Sequence, residues 1–181
     1  MQSLETQQPA PPSPPTRRIH GFTFWLAAAA VIALDQGTKA IVRASLDRGE
    51  AWPEDWPVKI RYVTNTGAAF GILQDQTVFL VAMALIGLGA IYIYYRNPPF
   101  DHPIVSAAIG MMLGGAAGNL IDRIRVGRVT DFIDFPRYPN FNIADSSIFI
   151  GVAIIIGAYL LWGSPRQHAG PSPDEAPPAD G

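Results

Sequence analysis

The sequence contains no cysteine, which excludes disulfides, thiol nucleophiles and cysteine-ligated metals. Histidine is also scarce, because the three residues His20, His102 and His168 lie far apart at the margins of apolar runs. A zinc site or a Ser-His catalytic pair therefore has few candidate residues. The net charge of −2, without any basic run, gives no indication of a nucleic-acid partner. Carboxylates remain as the main candidates for chemistry.

Charged residues make up only 15% of the chain, well below the share of about 25% in soluble proteins. This deficit is concentrated in four apolar runs, which are residues 22–42, 78–95, 103–121 and 146–162. Each run is long enough to span, or nearly span, a bilayer core. A soluble helical bundle would need polar stripes at helical spacing, and the second and fourth runs have none. The sequence predicts an all-α membrane protein with four transmembrane helices.

The two ends of the chain, residues 1–18 and 164–181, are rich in Pro and polar residues and cannot form a core. We expect both to be disordered tails that flank a single domain, residues 19–163. Arg17 and Arg18 before an apolar run resemble the start of a secretory signal peptide. However, this run is longer than a typical signal sequence and lacks a small-residue cleavage site, so we predict a retained first helix.

The first long loop, residues 44–77, contains the patterns of a small sheet. Trp52 and Trp56 are typical of a membrane interface, and the segment VKIRYV at 58–63 alternates as a strand does. Gly67 and Gly71, with small residues between them, indicate a close approach of the backbone to another element. Because open strand edges are not tolerated in lipid, we expect this sheet at the membrane surface or beside a cavity.

The link between the second and third runs, residues 96–102, is short, so these two spans must be antiparallel. Four spans then place both termini on one side and the two long loops, around 44–77 and 122–145, on the other. Charge counting gives four basic residues on the side of the termini and eight on the side of the loops. Taken literally, the positive-inside rule would place the loops in the cytoplasm.

Four aspartates, Asp122, Asp131, Asp134 and Asp145, lie in or beside the second long loop. Carboxylates near a membrane need a functional or a pairing explanation. Asp131 and Asp134 lie in a segment predicted as a loop. Asp145 directly precedes the fourth run, where it could serve as a helix N-cap. No Glu or Gln follows at the third position, so no capping box is expected there.

Polar residues inside the spans leave structural and functional interpretations open. Asp35 and Lys39, four residues apart, share a helix face and could form a neutralising pair near the interface or face the bundle interior. Asn119, Asp122 and Arg123 share a face near the end of the third run, after a series of glycines typical of close helix packing in lipid. A capping Asp–Arg pair with an Asn hydrogen bond is the structural alternative there.

Two aspartates that share a site can hold a single proton, because their repulsion raises one pKa. One carboxylate then acts as a base on water and the other as an acid toward a carbonyl oxygen. The spacing of the four aspartates does not decide which two would form such a pair.

Five motifs resemble those of bacterial prolipoprotein signal peptidase, or signal peptidase II, a family of membrane aspartic proteases. They are DQGTK (35–39), NTGAAFG (65–71), GNLIDR (118–123), VTDF (129–132) and FNIAD (141–145). The motifs occur in the order of the family, and the resemblance covers roughly residues 20–163. It implies a small β-cradle with a short surface helix in the region 46–73, on the catalytic face of the bundle.

The resemblance also implies residue roles. The catalytic dyad would be Asp131 and Asp145, whereas Asp134 matches no motif. Substrate-binding or supporting roles are implied for a larger set: Asp35, Lys39, Asn65, Gly67, Phe70, Gly71, Asn119, Asp122, Arg123, Asn142 and Ala144. No metal and no organic cofactor would be needed.

The implied reaction removes the signal peptide from diacylglyceryl-modified prolipoproteins, just before the lipid-bearing cysteine. The implied enzyme acts as a monomer in the bacterial inner membrane, where lipid and lipidated substrates are its partners. Its termini would be cytoplasmic and its active site periplasmic, against the charge count. The alternatives are a proton- or ion-coupled transporter, which predicts carboxylates near span midpoints and internal repeats, and a noncatalytic scaffold in which the aspartates are caps and ion pairs.

Overall fold

A computed structural model describes residues 17–67, 76–98, 100 and 102–163 of the chain. These residues form four helices and three strands: α1 (Arg17–Ser45), β1 (Ala51–Trp52), β2 (Lys59–Asn65), α2 (Thr77–Arg96), α3 (Pro103–Val126), β3 (Val129–Asp134) and α4 (Ile143–Trp162). Within the described part of the chain, all four helices are long and apolar enough to cross a membrane. The prediction of four transmembrane helices is confirmed.

The helices extend beyond the apolar runs that predicted them. α1 already includes Arg17 and Arg18, so the predicted boundary of the N-terminal tail at residue 18 is wrong. α3 continues past residue 121 to Val126 and ends at Gly127, whose φ of 77° lies in the left-handed region. Hydropathy identifies the part of a helix that lies in lipid, whereas capping contacts set its ends. The rest of the predicted tails, residues 1–16 and 164–181, lies outside the described residues.

α3 is the central helix of the bundle and packs against α1, α2 and α4. Its glycines allow this close packing, as predicted from the sequence. A Cβ atom on Gly114 would lie 2.6 Å from the carbonyl oxygen of Ala28 in α1. A Cβ atom on Gly118 would lie 2.5 Å from a carboxylate oxygen of Asp35. Larger residues would therefore separate α3 from α1 at the depth where α1 carries its charged residues.

The two ends of the bundle differ in chemistry. At the termini end, where α1 begins and α4 ends, aromatic rings pack together. Phe24 stacks on Tyr95 with a centroid distance of 3.8 Å, and Phe100 packs edge-on against Trp162 at 5.5 Å. At the opposite end, which we call the loop end, β2 from the first loop pairs with β3 from the second. The two long loops thus meet on one side.

The sheet at the loop end is antiparallel, with the strand order β1-β2-β3. The predicted strand in the first loop is confirmed as β2. The prediction of a loop around Asp131 is wrong, because Val129–Asp134 forms β3, with Asp131 opposite Val63 of β2. The first four residues of β3 are all buried, so the strand lacks the alternation that identifies half-exposed strands.

The short surface helix implied for the region 46–73 is not found in its described part, where residues 46–67 form β1, β2 and the turns around them. Residues 68–73 lie outside the described residues. The exposed rings of Trp52 and Trp56, 68% and 66% accessible, lie on this β1–β2 region. Their position at the loop end suits the predicted interfacial role.

Candidate active site

Asp131 and Asp145 are brought together at the loop end by Asn142, which contacts both carboxylates. The Asn142 side-chain amide donates to Asp131 Oδ1 at 2.7 Å. Its backbone N–H donates to Asp145 Oδ2 at 3.2 Å. Asp131 lies on β3 and is only 2% exposed, whereas Asp145 lies at the start of α4 and is partly exposed. The structure therefore places one deeply buried and one more accessible carboxylate around a single asparagine.

Asp145 is not the N-cap of α4, contrary to the structural alternative. Asn142 is the N-cap, and its side-chain oxygen accepts from the backbone N–H of Asp145 at 3.0 Å. Since Asp145 in turn accepts from the Asn142 backbone, the two residues form a capping box. The prediction that no capping box forms at the start of α4 is therefore wrong. The helix begins at Ile143, one turn earlier than hydropathy indicated, because Asp145 fills the third helical position that Glu or Gln usually occupies.

Asn119 of α3 connects the two aspartates to a buried cation. Its Nδ2 donates to Asp145 Oδ1 at 2.8 Å. Its Oδ1 accepts from Asn142 at 3.1 Å and from the Lys39 ammonium at 2.9 Å. The amide therefore lies between a positive charge in the bundle and the carboxylates above it.

Lys39 and Asp35 face the bundle interior, which decides between the two interpretations of their spacing. Both are 0% exposed, and their charged atoms lie 2.8 Å apart. Asp35 also accepts from the backbone N–H of Ala144 at 3.0 Å, in the first turn of α4. The pair thus joins α1 to α4 directly beneath the two aspartates.

Asp122 holds the strand that carries Asp131. Its carboxylate accepts from the backbone N–H of Thr130 at 3.0 Å and lies 3.3 Å from the Lys39 ammonium. Arg43 of α1 reaches the same carboxylate at 3.6 Å and the Thr130 hydroxyl at 3.0 Å. Asp122 thus pairs with cations of α1, where the structural alternative expected Arg123.

Arg123 instead turns toward the first loop. Its guanidinium donates to the carbonyl of Gly67 at 3.2 Å and to that of Asn119 at 3.5 Å. Asn65 precedes this contact on β2, and its amide donates to Asp131 Oδ2 at 3.0 Å. The Asn65 side-chain oxygen accepts from the Gly67 N–H. The predicted supporting residues Phe70 and Gly71 lie outside the described residues.

Asp134 does not join this cluster. It lies three residues after Asp131 on β3, so its side chain points to the other face of the strand. There its carboxylate accepts from Arg61 at 2.7 Å. The structure therefore separates Asp134 from the other three aspartates of the second loop.

Sequence reasoning missed three residues that support the site. Gln36 donates to Asp35, Asp122 and the carbonyl of Gly118. Arg43 and Thr130 complete the contacts of Asp122. Gln36 and Arg43 could have been predicted from the sequence, because they lie at helical spacing from Lys39 on one face of α1. Thr130 carries no such signal.

The pKa of Asp131 is raised to about 6. Burial, which disfavours the charged carboxylate, is the largest cause, and the nearby Asp145 charge adds to it. Hydrogen bonds from Asn65 and Asn142, together with the charge of Lys39, act in the opposite direction. Among the described residues, no three His, Asp or Glu side chains converge as metal ligands would.

Comparison with known proteins identifies the family. The family model described as signal peptidase (SPase) II matches residues 27–161 of this chain. The chain belongs to the signal peptidase II family. A lipoprotein signal peptidase of Dehalococcoides mccartyi is 40% identical over 154 residues, which covers 83% of this chain and 94% of that protein. One of Shouchella clausii is 42% identical and covers 80% and 97% of the two chains.

Solved structures agree with this family assignment. A bacterial membrane enzyme determined at 2.3 Å matches with a TM-score of 0.71 and 37% identity, over 77% of this chain and 88% of that chain. A second, determined at 1.9 Å, matches with a TM-score of 0.69 and the same identity. As a member of the signal peptidase II family with four apolar helices, the chain is a multi-pass membrane peptidase of bacterial type.

The site geometry predicts very different stabilities for two isosteric substitutions. Asp122→Asn removes the charge that faces Lys39 and Arg43 and leaves these cations undercompensated at a buried position. We expect a loss of roughly 3–5 kcal/mol in unfolding free energy, measured by denaturation in detergent. The matched control, Asp134→Asn, affects a partly exposed pair with Arg61 and should cost at most about 1 kcal/mol. Equal losses in the two variants would contradict this prediction.

Proposed function

We propose that this protein is an aspartic endopeptidase that removes signal peptides from diacylglyceryl-modified prolipoproteins, with cleavage just before the lipid-bearing cysteine. The observation that carries the proposal is the contact of Asn142 with both Asp131 and Asp145. The names of the relatives, lipoprotein signal peptidases, support the substrate class. A site at the loop end of a transmembrane bundle also suits a substrate whose two parts both lie in the membrane.

In the proposed mechanism, Asp131 and Asp145 share one proton. Asp131 is the carboxyl that holds this proton at pH values below about 6, because burial raises its pKa to about 6. Asp145 is the more accessible carboxylate and lies at the N-terminal turn of α4, where the helix dipole stabilises negative charge. Asp145 therefore takes a proton from the attacking water, and Asp131 gives its proton to the oxygen of the scissile carbonyl.

The surrounding amides would keep these roles distinct during the reaction. Asn65 and Asn142 donate to the two oxygens of Asp131, and Asn119 donates to Asp145. Such donors fix the orientation of each carboxylate before the substrate arrives, which lowers the cost of reorganisation in the transition state. The transporter alternative is not favoured, because Asp131 and Asp145 cluster at one end of the bundle rather than near the span midpoints.

Substitution of either proposed catalytic aspartate tests the mechanism. Asp131→Asn and Asp145→Asn each remove one participant in proton transfer, so cleavage of a lipid-modified prolipoprotein by purified protein should fall by about 10²–10⁴-fold. Asp134→Asn is the matched control and should retain cleavage. If either of the first two variants cleaves at a rate near that of the wild type, the dyad assignment is wrong.

The proton shared by the dyad predicts a pH dependence. Because the pKa of Asp131 is raised to about 6, the carboxyl keeps its proton below this pH and loses it above. We expect kcat/KM to decrease as the pH rises through this region, since the doubly ionised pair lacks the general acid. A pH profile recorded with Asp134→Asn should follow that of the wild type. A kcat/KM that continues to rise well above this pH would contradict the assignment of Asp131 as the acid.

We also propose that both termini are cytoplasmic and that the dyad lies at the periplasmic face. The excess of basic residues at the loop end opposes this orientation under the positive-inside rule. Four of those eight residues, however, bind carboxylates or backbone carbonyls at the loop end and do not act as free topogenic charges: Arg43, Lys59, Arg61 and Arg123.

Fusion of a reporter to the C-terminus tests this orientation. A reporter that works only in the cytoplasm should be active, and one that works only outside it should be inactive. The same pair of reporters inserted in the β1–β2 turn, at Asp55, gives the internal control and should show the reverse pattern. An active external reporter at the C-terminus would overturn the proposed orientation.

A further inference from the structure

An apolar groove of about 280 Å³ lies between α2 and α4, with α3 as its floor. Ile91 of α2 and Ile156 of α4 form parts of its walls, and Ile109 and Met112 of α3 lie beneath them. α2 and α4 each pack on α3 but make no extensive contact with each other among the described residues. The groove therefore opens sideways into the lipid part of the membrane.

The groove lies on the same helix faces as the proposed active site. Val152 and Ile156 follow Asp145 by seven and eleven residues on α4, spacings that return to nearly the same face of an α-helix. Met112 precedes Asn119 by seven residues on α3. At 1.5 Å per residue, the α4 wall lies about 10–16 Å below Asp145 along the helix axis. Phe149, on α4 between Asp145 and Val152, is 75% exposed, so α4 is also open to lipid at this position between the groove and the dyad.

At the termini end the groove is closed. Tyr94 of α2 and Tyr159 of α4 lie next to each other at this end, and the Tyr159 ring packs against Phe100 at 5.0 Å. A peptide helix that crosses the whole bilayer would meet this closure. A flexible chain that ends in a methyl group needs no exit and fits a groove open toward the dyad and blind at the far end.

We propose that the groove binds one acyl chain of the diacylglyceryl group on the substrate cysteine. This inference rests on the proposed function, because that reaction places the lipid-bearing residue directly beside the scissile bond. A lipid chain that begins at the membrane surface extends through about half of the hydrocarbon core, roughly 15 Å. From the dyad at the loop end, such a chain reaches the depth of Val152 and Ile156. Burial of its methylenes against Ile, Val and Met side chains would then supply binding energy remote from the reacting bond.

The proposal is tested with two synthetic lipopeptides that share one signal sequence and differ only in acyl length. The short-chain substrate carries acyl groups that end above Val152, and the long-chain substrate carries groups that reach Ile156. Because each buried methylene favours binding severalfold, the wild type should prefer the long chain by about tenfold or more in kcat/KM. Val152→Trp and Ile156→Trp fill the groove and should reduce this ratio to about threefold or less.

Ile93→Trp is the matched control, because Ile93 lies on α2, is 66% exposed and does not line the groove. It should keep the wild-type preference for the long chain. Thermal unfolding of each variant in detergent identifies any that fail to fold, and the second groove variant then carries the test.

The outcomes separate this inference from the proposed function. If the wild type cleaves both substrates without a length preference, or if both groove variants keep the preference, the acyl groove is wrong and the peptidase function stands. If the groove variants lose cleavage of both substrates in the same proportion, the groove holds another occupant, such as a phospholipid chain or the apolar signal segment, and the proposal is overturned. If the wild type cleaves neither substrate, the proposed function and the groove both fail.

Discussion

The buried ammonium of Lys39 is the group on which the arrangement of this protein depends. It is fully enclosed and lies within 3.3 Å of the carboxylates of Asp35 and Asp122. An ammonium inside a membrane bundle is costly unless it is paired and hydrogen-bonded, so α1 and α3 must keep the register that brings these groups together. Asp35 also accepts from the Ala144 backbone, which adds the start of α4 to the same constraint. One cation thus fixes three helices at the loop end, where glycine on α3 leaves room for their approach.

The same network positions the two aspartates, and the charge of Lys39 also acts on the pKa of Asp131. Asp122 holds the Thr130 backbone and thereby the strand that carries Asp131. Asn119 links Lys39 to Asp145 through the two ends of one amide. A displacement of α1 relative to α3 would therefore disturb both carboxylates at once, although α1 contributes no residue to the dyad. The positions of the proposed acid and base therefore follow from the packing of the helices against each other and against β3.

Much of the fold follows from the sequence because a long run of uncharged, apolar residues predicts a transmembrane helix whatever that helix packs against. The four spans and the meeting of the two loops were predictable on this basis, whereas β3 was not. The first four residues of β3 are all buried, so both faces of the strand are covered. The strand therefore lacks the alternation of buried and exposed residues by which a strand is predicted from sequence. Spacing alone also could not select Asp131 and Asp145, because the sequence does not state which carboxylates face inward. The motif resemblance supplied that choice, and the structure supplied contacts of Gln36, Arg43 and Thr130 that only tertiary packing creates.

Asn142 shows why the site needs one particular residue type at the start of α4. Ser, Thr, Asp and Asn all serve as helix N-caps, because each offers an oxygen to the first backbone N–H groups. Here the capping oxygen accepts from the Asp145 N–H while the amide nitrogen of the same side chain donates to Asp131. A hydroxyl is too short to span both contacts, and a carboxylate would add a negative charge and remove the donor. An amide side chain can do both: its oxygen caps the helix that carries Asp145, and its nitrogen orients the carboxyl group of Asp131.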